Sequence, residues 1–506
     1  MAISKKMRNA MRSMSKEQTF DFDYFLQGIN SSLDESVQGM KYAKSFKNFC
    51  ISKGVLSTGL GVSALKFYST VTGTETPYNQ TYTGNPLALY CYPCIDQVSS
   101  SVRSDCLVIY TSAKKLYYLT YVLPYRTFHE LLSPTFEVVP SYLYYIMPDR
   151  NPVMMFCSPL QPLTIFDIYN DYSQVQDAPQ VTSLCNHNDR IFAVKNVGKT
   201  SVWFSDETDP TDWEVSSTGA GEIAMNDMLG DCKKVISFKG YVFVFREYGI
   251  TRISAYAEQE NFVVQNVYES SNYIYSNTAC VCGDVIIFLA TDGVYSFNGV
   301  SVRKLNVGFE KLLNGIDQSH AKGVQFKNSY YLICNTSLAN VLSACNCQNT
   351  VLKYDYLTGN YEFLASSHYL DIEKINSSGI EKLACIELSF YASDENYTTR
   401  ISQIEQSGAV YDTNTTKEWV SPSVDLGVSN YSKNIYAISL QTQYDCDVTI
   451  ITENGEQTVH FAGSSVVQKK QVYACGVMVQ IKISTTEKQA NISHPVIYYK
   501  LGLANV

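Results

Sequence analysis

Short apolar runs separated by polar turns dominate the chain from about residue 86 to residue 415. A typical unit has a turn residue, four to six apolar residues, a second turn and another aromatic-rich run. This alternation predicts strands joined by hairpins rather than helices. Five units begin near a recognisable turn residue: Asp105, Asp189, Gly240, Asp284 and Ser329.

The spacing of these units indicates a repeat. The last three steps are roughly 45–50 residues long, and the first gap of about 84 residues fits one further unit, "PDRNPVMMFCSPLQPLTIFDIY" from Pro148. A period in the forties with strand–turn–strand units is typical of a β-propeller with four strands per blade. One such sheet cannot bury both faces alone, so blades stack around an axis. We therefore predict an all-β chain whose residues 86–415 form a propeller of about six blades.

The two ends of the chain have different patterns. Residues 416–506 alternate as strands with turns such as Asn454-Gly455, which predicts a small C-terminal β-sandwich. The β segment at 46–85 is expected to pack with that sandwich. Residues 1–45 are expected to form a short helical or extended N-terminal arm.

The first sixteen residues of the arm are basic. They contain no acidic residue, and Met7, Met11 and Met14 fall at helical spacing. One interpretation is a solvated tail, and the other is an arm that becomes ordered on an acidic partner or on DNA. In the second interpretation, the partner-binding residues are Lys5, Lys6, Arg8, Arg12 and Lys16.

Composition restricts the function. Charged residues are only 17 % of the 506, so repeated subunits are expected to cover part of the surface. The net charge of −9 argues against a protein that coats nucleic acid, although nucleic acid can still pass through a channel in it. No apolar run reaches the length of a membrane span.

The fifteen cysteines are irregularly spaced and follow no signal peptide, so we expect reduced, buried thiols. "CYPC" at Cys91–Cys94 has no second half and does not predict a zinc site.

The segment Val202–Trp213, "VWFSDETDPTDW", is the most distinctive motif. A sialidase aspartate box reads Ser-x-Asp-x-Gly-x-x-Trp, whereas here Glu207 replaces the aspartate, the glycine is absent and the tryptophan is one place late. Asp and Pro side chains of this kind fix tight turns. We therefore interpret this as a structural turn that depends on Ser205, Asp209, Pro210 and Trp213.

No residue pattern indicates catalysis. The six histidines lie outside nucleophile and metal motifs, and His187 is expected to be a turn residue. Asp371 and Glu373 are expected in a polar loop without a partner. Phosphate-binding glycine signatures are missing. The chain is therefore predicted not to be an enzyme and to need no cofactor or metal.

Four segments carry a family resemblance: the 202–213 turn, "ATDGVYSFNG" at Ala290–Gly299, "EWVSPSVDLG" followed by "NIYAISLQ", and the opening "GINSSLDESVQGMKYAKSFKNFCISKGVLSTGLGV". Together they resemble the tail hub or nozzle proteins of short-tailed bacteriophages, also called DNA-stabilisation proteins. The 202–213 turn is similar to their "S-x-x-x-D-P-x-x-W" pattern, and "ATDGVYSFNG" at Ala290–Gly299 resembles their blade hairpin. "EWVSPSVDLG" followed by "NIYAISLQ" is similar to the entry into the C-terminal β domain of many phage tail proteins. In "GINSSLDESVQGMKYAKSFKNFCISKGVLSTGLGV" the matching positions are Gly28, Asn30, Asn48, Gly54 and Gly59. The basic segment 1–16 has no counterpart.

The resemblance implies a structural virion protein made in the bacterial cytoplasm and located in the tail. It implies a homo-oligomeric ring, expected to have six copies, below the portal and adaptor proteins. Such a ring continues the channel for double-stranded DNA, retains the genome and opens for ejection. Together with the net charge, it predicts an acidic or neutral lumen, because fixed cations would hold phosphates.

Two other functions remain open. The first is a propeller that binds or cleaves a receptor glycan, which needs aromatic and carboxylate residues clustered on one face. The second is a cytoplasmic scaffold that binds peptides, which leaves the C-terminal strands unexplained. A stable ring favours the hub, whereas a monomer or trimer favours these alternatives.

Overall fold

Antiparallel sheets make up nearly all of the structure. Among the described residues, the helical segments are one α-helical turn, Glu310–Leu313, and one 3-10 turn, Gln259–Asn261. The prediction of an all-β chain is confirmed. The computed structural model describes residues 16–22, 25, 28–29, 42–69, 74–76, 78, 81–93, 105–119, 127–131, 135–167, 171–175, 177–196, 200–216, 219–256, 258–305, 308, 310–313, 315–338, 349–365, 368–377, 379–390 and 397–504.

Six four-stranded sheets follow one another along the chain. Sheet 1 comprises Pro86–Tyr92, Cys106–Thr111, Leu116–Leu119 and Phe128–Glu130, and sheet 2 comprises Ser141–Ile146, Pro152–Ser158, Gln161–Asp167 and Asp171–Val175. Sheet 3 comprises Val181–His187, Arg190–Lys195, Ser201–Phe204 and Gly221–Ala224, and sheet 4 comprises Cys232–Phe238, Tyr241–Arg246, Gly249–Ser254 and Val263–Glu269. Sheet 5 comprises Ile274–Cys282, Val285–Ala290, Gly293–Phe297 and Val302–Lys304, and sheet 6 comprises Lys322–Phe326, Ser329–Asn335, Asn349–Asp355 and Tyr361–Leu364.

A seventh sheet follows, one more than the predicted count of about six. Its strands come from two distant parts of the chain, which is why the repeat pattern missed it. They are His368–Ser377, Ile380–Phe390, Tyr397–Glu405 and Gly61–Ala64, with the short strands Ala409–Val410 and Thr413–Asn414 at its edge. A separate hairpin joins Phe67–Ser69 to Thr74–Thr76.

The seven sheets pack in sequence, and the series closes on itself. The first strands of neighbouring sheets contact each other at every step, including the step from sheet 7 back to sheet 1. At that step Leu89 and Ile109 pack with Ile375 and Ile386 in one buried cluster. The second strand of sheet 1 is buried along its whole length, because neighbours cover both of its faces.

Two further sheets share a core at the C-terminal end. One contains Phe49–Ser52, Val55–Thr58, Asn491–Ala504, Tyr431–Thr442 and Gln468–Gly476, with Gln18–Asp21 paired to Asn491–Ala504. The other contains Ser45–Lys47, Lys417–Val420, Val479–Thr485, Cys446–Thr452 and Gly455–Phe461. Their core includes Ile438 and Ile497 from the first sheet and Val448 and Ile481 from the second. We call this pair of sheets the C-terminal pair.

Candidate functional site

The 202–213 turn is held by its own aspartates. Asp206 Oδ1 accepts hydrogen bonds from the main-chain N–H groups of Thr208 (2.7 Å) and Asp209 (3.2 Å). Asp209 Oδ1 accepts from the Thr211 N–H at 2.8 Å, and the Asp206 N–H donates to the Asp212 carbonyl at 3.0 Å. The hydrogen bond from the Thr208 hydroxyl lowers the pKa of Asp206. These carboxylates therefore close the turn, which is the structural role expected of Asx residues.

Ser205 and Arg190 attach this turn to the sheet beneath it. Ser205 is fully buried, and its Oγ accepts from the Ile191 N–H at 3.0 Å. Arg190 is 3 % exposed, and its Nη1 donates to the carbonyls of Ser205 (2.9 Å) and Gly219 (2.7 Å). A sialidase-type site needs arginines that are free to bind a substrate carboxylate. The guanidinium at this turn is instead occupied by the main chain.

Trp213 joins two sheets. It is 1 % exposed and belongs to a buried cluster with Met155 of sheet 2 and Leu184 and Ile191 of sheet 3. This cluster therefore extends from the sheet that carries the turn to the neighbouring sheet. Pro210 of the same turn is also buried.

The first strands of sheets 6 and 7 bring three charged groups together. Lys322 Nζ lies 2.6 Å from Asp371 Oδ1 and 3.5 Å from Glu373 Oε2. The other Asp371 oxygen accepts from the Leu89 N–H of sheet 1 at 2.7 Å. The prediction that Asp371 and Glu373 occupy a polar loop without a partner is wrong. Both lie in the strand His368–Ser377, where an alternating polar pattern reflects pairing with Lys322 rather than exposure to solvent.

Burial and charge shift the pKa values in this cluster. Burial raises the pKa of Glu373. Burial alone would lower the pKa of Lys322, but the charges of Asp371 and Glu373 outweigh it and raise that pKa. A carboxyl group with a raised pKa beside a lysine is a combination that also occurs in acid–base catalysis. Here Asp371 connects sheets 6, 7 and 1, so the cluster sits where the series of sheets closes and acts as a structural ion-pair network.

Asn48 connects the C-terminal pair to sheet 6. Its Nδ2 donates to the Thr416 carbonyl at 2.8 Å, and its Oδ1 accepts from the Ala365 N–H at 3.0 Å. It adopts a left-handed conformation with φ 59° and is 4 % exposed. A Cβ at Gly59 would collide with the main-chain carbonyl of Asn48, so this close approach requires glycine at position 59.

Other positions of the family-like opening also support the main chain. Gly54 has φ 78° in the turn between Phe49–Ser52 and Val55–Thr58, a conformation that favours glycine. The Gly28 carbonyl accepts from the Ala43 N–H at 2.9 Å. Asn30 lies outside the described residues.

The predicted basic cluster lies mostly outside the described part of the chain. Lys16 is described and exposed. The strand Gln18–Asp21 follows directly and pairs with Asn491–Ala504, and Phe22 and Phe25 are buried beyond it. Gln18–Asp21, Phe22 and Phe25 of the predicted arm thus pack with the C-terminal pair. Of the five predicted partner-binding residues, the other four lie outside the described part of the chain: Lys5, Lys6, Arg8 and Arg12.

The described histidines and cysteines form no convergent site. His187 ends a strand, is 4 % exposed and has Nδ1 2.9 Å from Ser237 Oγ, and burial lowers its pKa. Cys91 is buried with its Sγ 3.1 Å from Asp105 Oδ2, whereas Cys94 lies outside the description. Within the described ranges there is no group of three His, Cys, Asp or Glu side chains able to hold a metal ion. None of the helices in those ranges has the length and hydropathy to cross a bilayer.

Comparisons with known proteins give no family. No protein-family model matches the chain, and no curated protein matches it. Among solved structures it is similar to the crystal structure of the S. cerevisiae core factor, with 10 % identity and a TM-score of 0.38. The match covers 70 % of this chain and 62 % of that one, so this chain spans less than two thirds of that structure's length. A similarity this weak carries no argument about fold or function.

Proposed function

We propose that the seven sheets are the blades of one β-propeller and that the C-terminal pair is a β-sandwich built from both ends of the chain. The closed series of contacts between first strands supports this arrangement. Further support comes from Gly61–Ala64, which precedes sheet 1 yet pairs with the strand Tyr397–Glu405 of sheet 7. Such a strand ties the first blade to the last and leaves few exposed edges.

On this fold, the proposed function is that of a structural virion protein in the tail of a short-tailed bacteriophage. Copies of the chain form a ring, with six expected, below the portal and adaptor proteins. The ring continues the channel for double-stranded DNA, retains the genome and opens for ejection. The protein is made in the host bacterial cytoplasm and is not an enzyme.

One observation carries the proposal: several of the family-like residues lie where different sheets contact each other or where a turn is fixed to its sheet. Asn48 connects the C-terminal pair to sheet 6, with Gly59 against its main chain, and Ser205, Asp209 and Trp213 belong to the turn between the third and fourth strands of sheet 3. The resemblance therefore rests on positions that this architecture needs. The ion pair between Lys322 and the buried Asp371 links sheets 6 and 7 in the same way where the series of sheets closes.

Mass measurement on the purified chain tests the proposal. Native mass spectrometry should find six copies of the 56.8-kDa chain, and negative-stain images should show rings. A stable monomer at micromolar concentration would contradict the ring.

A glycan-binding function remains the second candidate, favoured by a strip of tyrosines on sheets 4 and 5. The rings of Tyr248 and Tyr273 are 5.9 Å apart, and those of Tyr273 and Tyr275 are 5.2 Å apart. Tyr248 is 40 % exposed, and Glu247 beside it binds Lys233 at 2.9 Å. Saturation-transfer NMR with host surface glycans distinguishes the two functions. A glycan-binding protein should transfer saturation to the glycan, and Tyr248→Ala should abolish that transfer. A hub protein should show no transfer.

A further inference from the structure

Two cysteines lie on one face of the first strand of sheet 5. Cys280 and Cys282 are two residues apart in the strand Ile274–Cys282, so their side chains project to the same side. Both pack on a cluster that contains Tyr330 and Leu332 of sheet 6. Cys282 is buried, whereas Cys280 is half-buried, so small molecules in the solvent can reach it.

Neighbouring sheets supply a cation and a hydrogen-bond donor to the Cys280 thiol. Lys234 of sheet 4 donates from Nζ to the carbonyl of Ala279, the residue before Cys280, at 2.9 Å. The main-chain N–H of Gln325, in the first strand of sheet 6, donates to the Cys280 sulfur. Within the same strand, the Cys282 S–H donates to that sulfur as well. Cys280 thus lies where the first strands of sheets 4, 5 and 6 meet.

These contacts stabilise the thiolate form of Cys280. The hydrogen bond from Cys282 and the charge of Lys234 lower the pKa of Cys280, although burial opposes them. The same hydrogen bond, together with burial, raises the pKa of Cys282. A thiolate in electropositive and partly exposed surroundings is a nucleophile, whereas a buried thiol is inert. The pair therefore consists of one reactive sulfur and one sulfur that stabilises it.

The other described cysteines have different surroundings. Nine of the twelve are buried, and burial raises the pKa of Cys157 and Cys334 to about 12. Cys50 is half-buried like Cys280, but burial and the charge of Glu362 raise its pKa to about 12. Exposure alone therefore does not distinguish Cys280 from Cys50, whereas the neighbouring donors and charges do.

We propose that Cys280 is a site of thiol–disulfide exchange with low-molecular-weight disulfides of the glutathione disulfide class. The Cys280 thiolate attacks one sulfur of the reagent R–S–S–R. A bond forms between Cys280 Sγ and that sulfur, the R–S–S–R bond breaks, and R–S⁻ leaves and takes a proton from water. Cys280 is oxidised to a mixed disulfide, and the leaving half of the reagent is reduced to a thiol.

The mixed disulfide persists because Cys282 does not displace the attached group. Cys282 is buried as the thiol, and Cα atoms two residues apart in a strand are about 6.6 Å apart, near the upper limit for a disulfide. The attached group then lies against the contact between the first strands of sheets 5 and 6. This inference is independent of the proposed ring. A reducing cytoplasm keeps the thiol free, and an oxidising medium allows its modification.

Reaction of the folded wild-type chain with glutathione disulfide at pH 7 tests the site, with each cysteine followed by peptide mass spectrometry. Cys280 should react at least about tenfold faster than Cys50, because both are half-buried but only Cys280 is stabilised as the thiolate. In denaturing urea the two rates should agree within about twofold, because unfolding removes the donors and charges. Equal rates in the folded chain would overturn the proposal. An internal disulfide between Cys280 and Cys282 would overturn the persistence of the mixed disulfide.

Removal of the lysine charge tests the cause of the reactivity. Lys234→Met should slow the modification of Cys280 about fivefold, because the thiolate loses its nearby cation. The control Lys239→Met makes the same charge change, and Lys239 Nζ also donates to a main-chain carbonyl of sheet 5, that of Asp284, at 2.9 Å. Lys239 is exposed and solvent screens its charge, so this control should alter the rate less than about twofold. Equal rates in the two variants would contradict the role of Lys234.

A second pair of variants tests the hydrogen bond and replaces the lysine pair if Lys234→Met does not fold. Cys282→Ala removes the S–H donor and should slow the modification of Cys280. Cys282→Ser keeps an O–H donor at the same position and should restore most of the rate. A purely structural role for Cys282 would give the two variants the same rate, and that result would refute stabilisation of the thiolate by this hydrogen bond.

Discussion

Replacing Asn48 by alanine should weaken the contact between the C-terminal pair and sheet 6. The change leaves the Thr416 carbonyl and the Ala365 N–H without their partners, at 2.8 Å and 3.0 Å in the wild type. Thr416 is exposed and Ala365 is half-buried, so water partly replaces the lost partners; at about 1.5 kcal/mol for each lost hydrogen bond, the two together cost about 3 kcal/mol. Alanine at φ 59° adds about 1 kcal/mol, since the left-handed region disfavours a Cβ without local hydrogen bonds. We therefore expect Asn48→Ala to lower the free energy of unfolding by about 4 kcal/mol.

The matched control is Asn48→Gly, which loses the same hydrogen bonds but tolerates this backbone conformation. It should lose about 3 kcal/mol, and the difference isolates the backbone term. Urea unfolding followed by tryptophan fluorescence measures both variants. Trp419, which is 4.9 Å from Phe25, reports on the C-terminal pair, whereas Trp213 reports on sheets 2 and 3. A loss below 0.5 kcal/mol in Asn48→Ala, or a glycine variant less stable than the alanine variant, would refute the reasoning.

Three further predictions follow from buried groups. Trp213→Ala should lower the free energy of unfolding, measured in urea, by about 3–5 kcal/mol. The control Trp203→Ala, at a half-buried position of the same sheet, should lower it clearly less. Equal losses would contradict the role of Trp213 in the core shared by sheets 2 and 3. Lys322→Met should lower the free energy of unfolding by about 3 kcal/mol because it leaves Asp371 buried without its cation. Adding Asp371→Asn should recover part of that loss. Purely additive effects in this double-mutant cycle would exclude coupling between Lys322 and Asp371. Burial lowers the pKa of Lys417 to about 8, below its unfolded value, so the unfolded chain binds more protons between about pH 8 and 10.5. Wild-type stability should therefore rise relative to Lys417→Met across that window. A constant difference would show that the carbonyls of Gly408, Thr415 and Glu487, which accept from Lys417 Nζ, keep the lysine charged.

The regular part of the fold could be predicted because its repeat is local. Runs such as Cys106–Thr111 and Tyr241–Arg246 are buried on both faces, so an unbroken apolar stretch marks each second strand. Because each sheet has four strands, the turn residues recur at a regular spacing. Sheet 7 was missed because its fourth strand, Gly61–Ala64, precedes sheet 1, and no local pattern records a pairing over that distance.

The buried charges could not be predicted for a related reason. The strand His368–Ser377 reads as polar, and only the tertiary structure supplies Lys322 as the partner of Asp371. Asn48 is similar, since its two partners are Thr416 and Ala365, far away in the sequence. By contrast, the aspartates of the 202–213 turn find hydrogen-bond partners within a few residues, so these bonds depend on local sequence.

Electron cryo-microscopy of tails from virions that carry this chain is the most direct measurement of its proposed role. We expect a ring of identical copies around the DNA path below the portal and adaptor, with each copy showing the closed series of seven sheets. The bore should have no continuous lining of lysine and arginine, because fixed cations would retain the phosphates of moving DNA. Location of the chain outside the tail axis, or as isolated copies that contact a surface glycan, would contradict a role in the DNA channel.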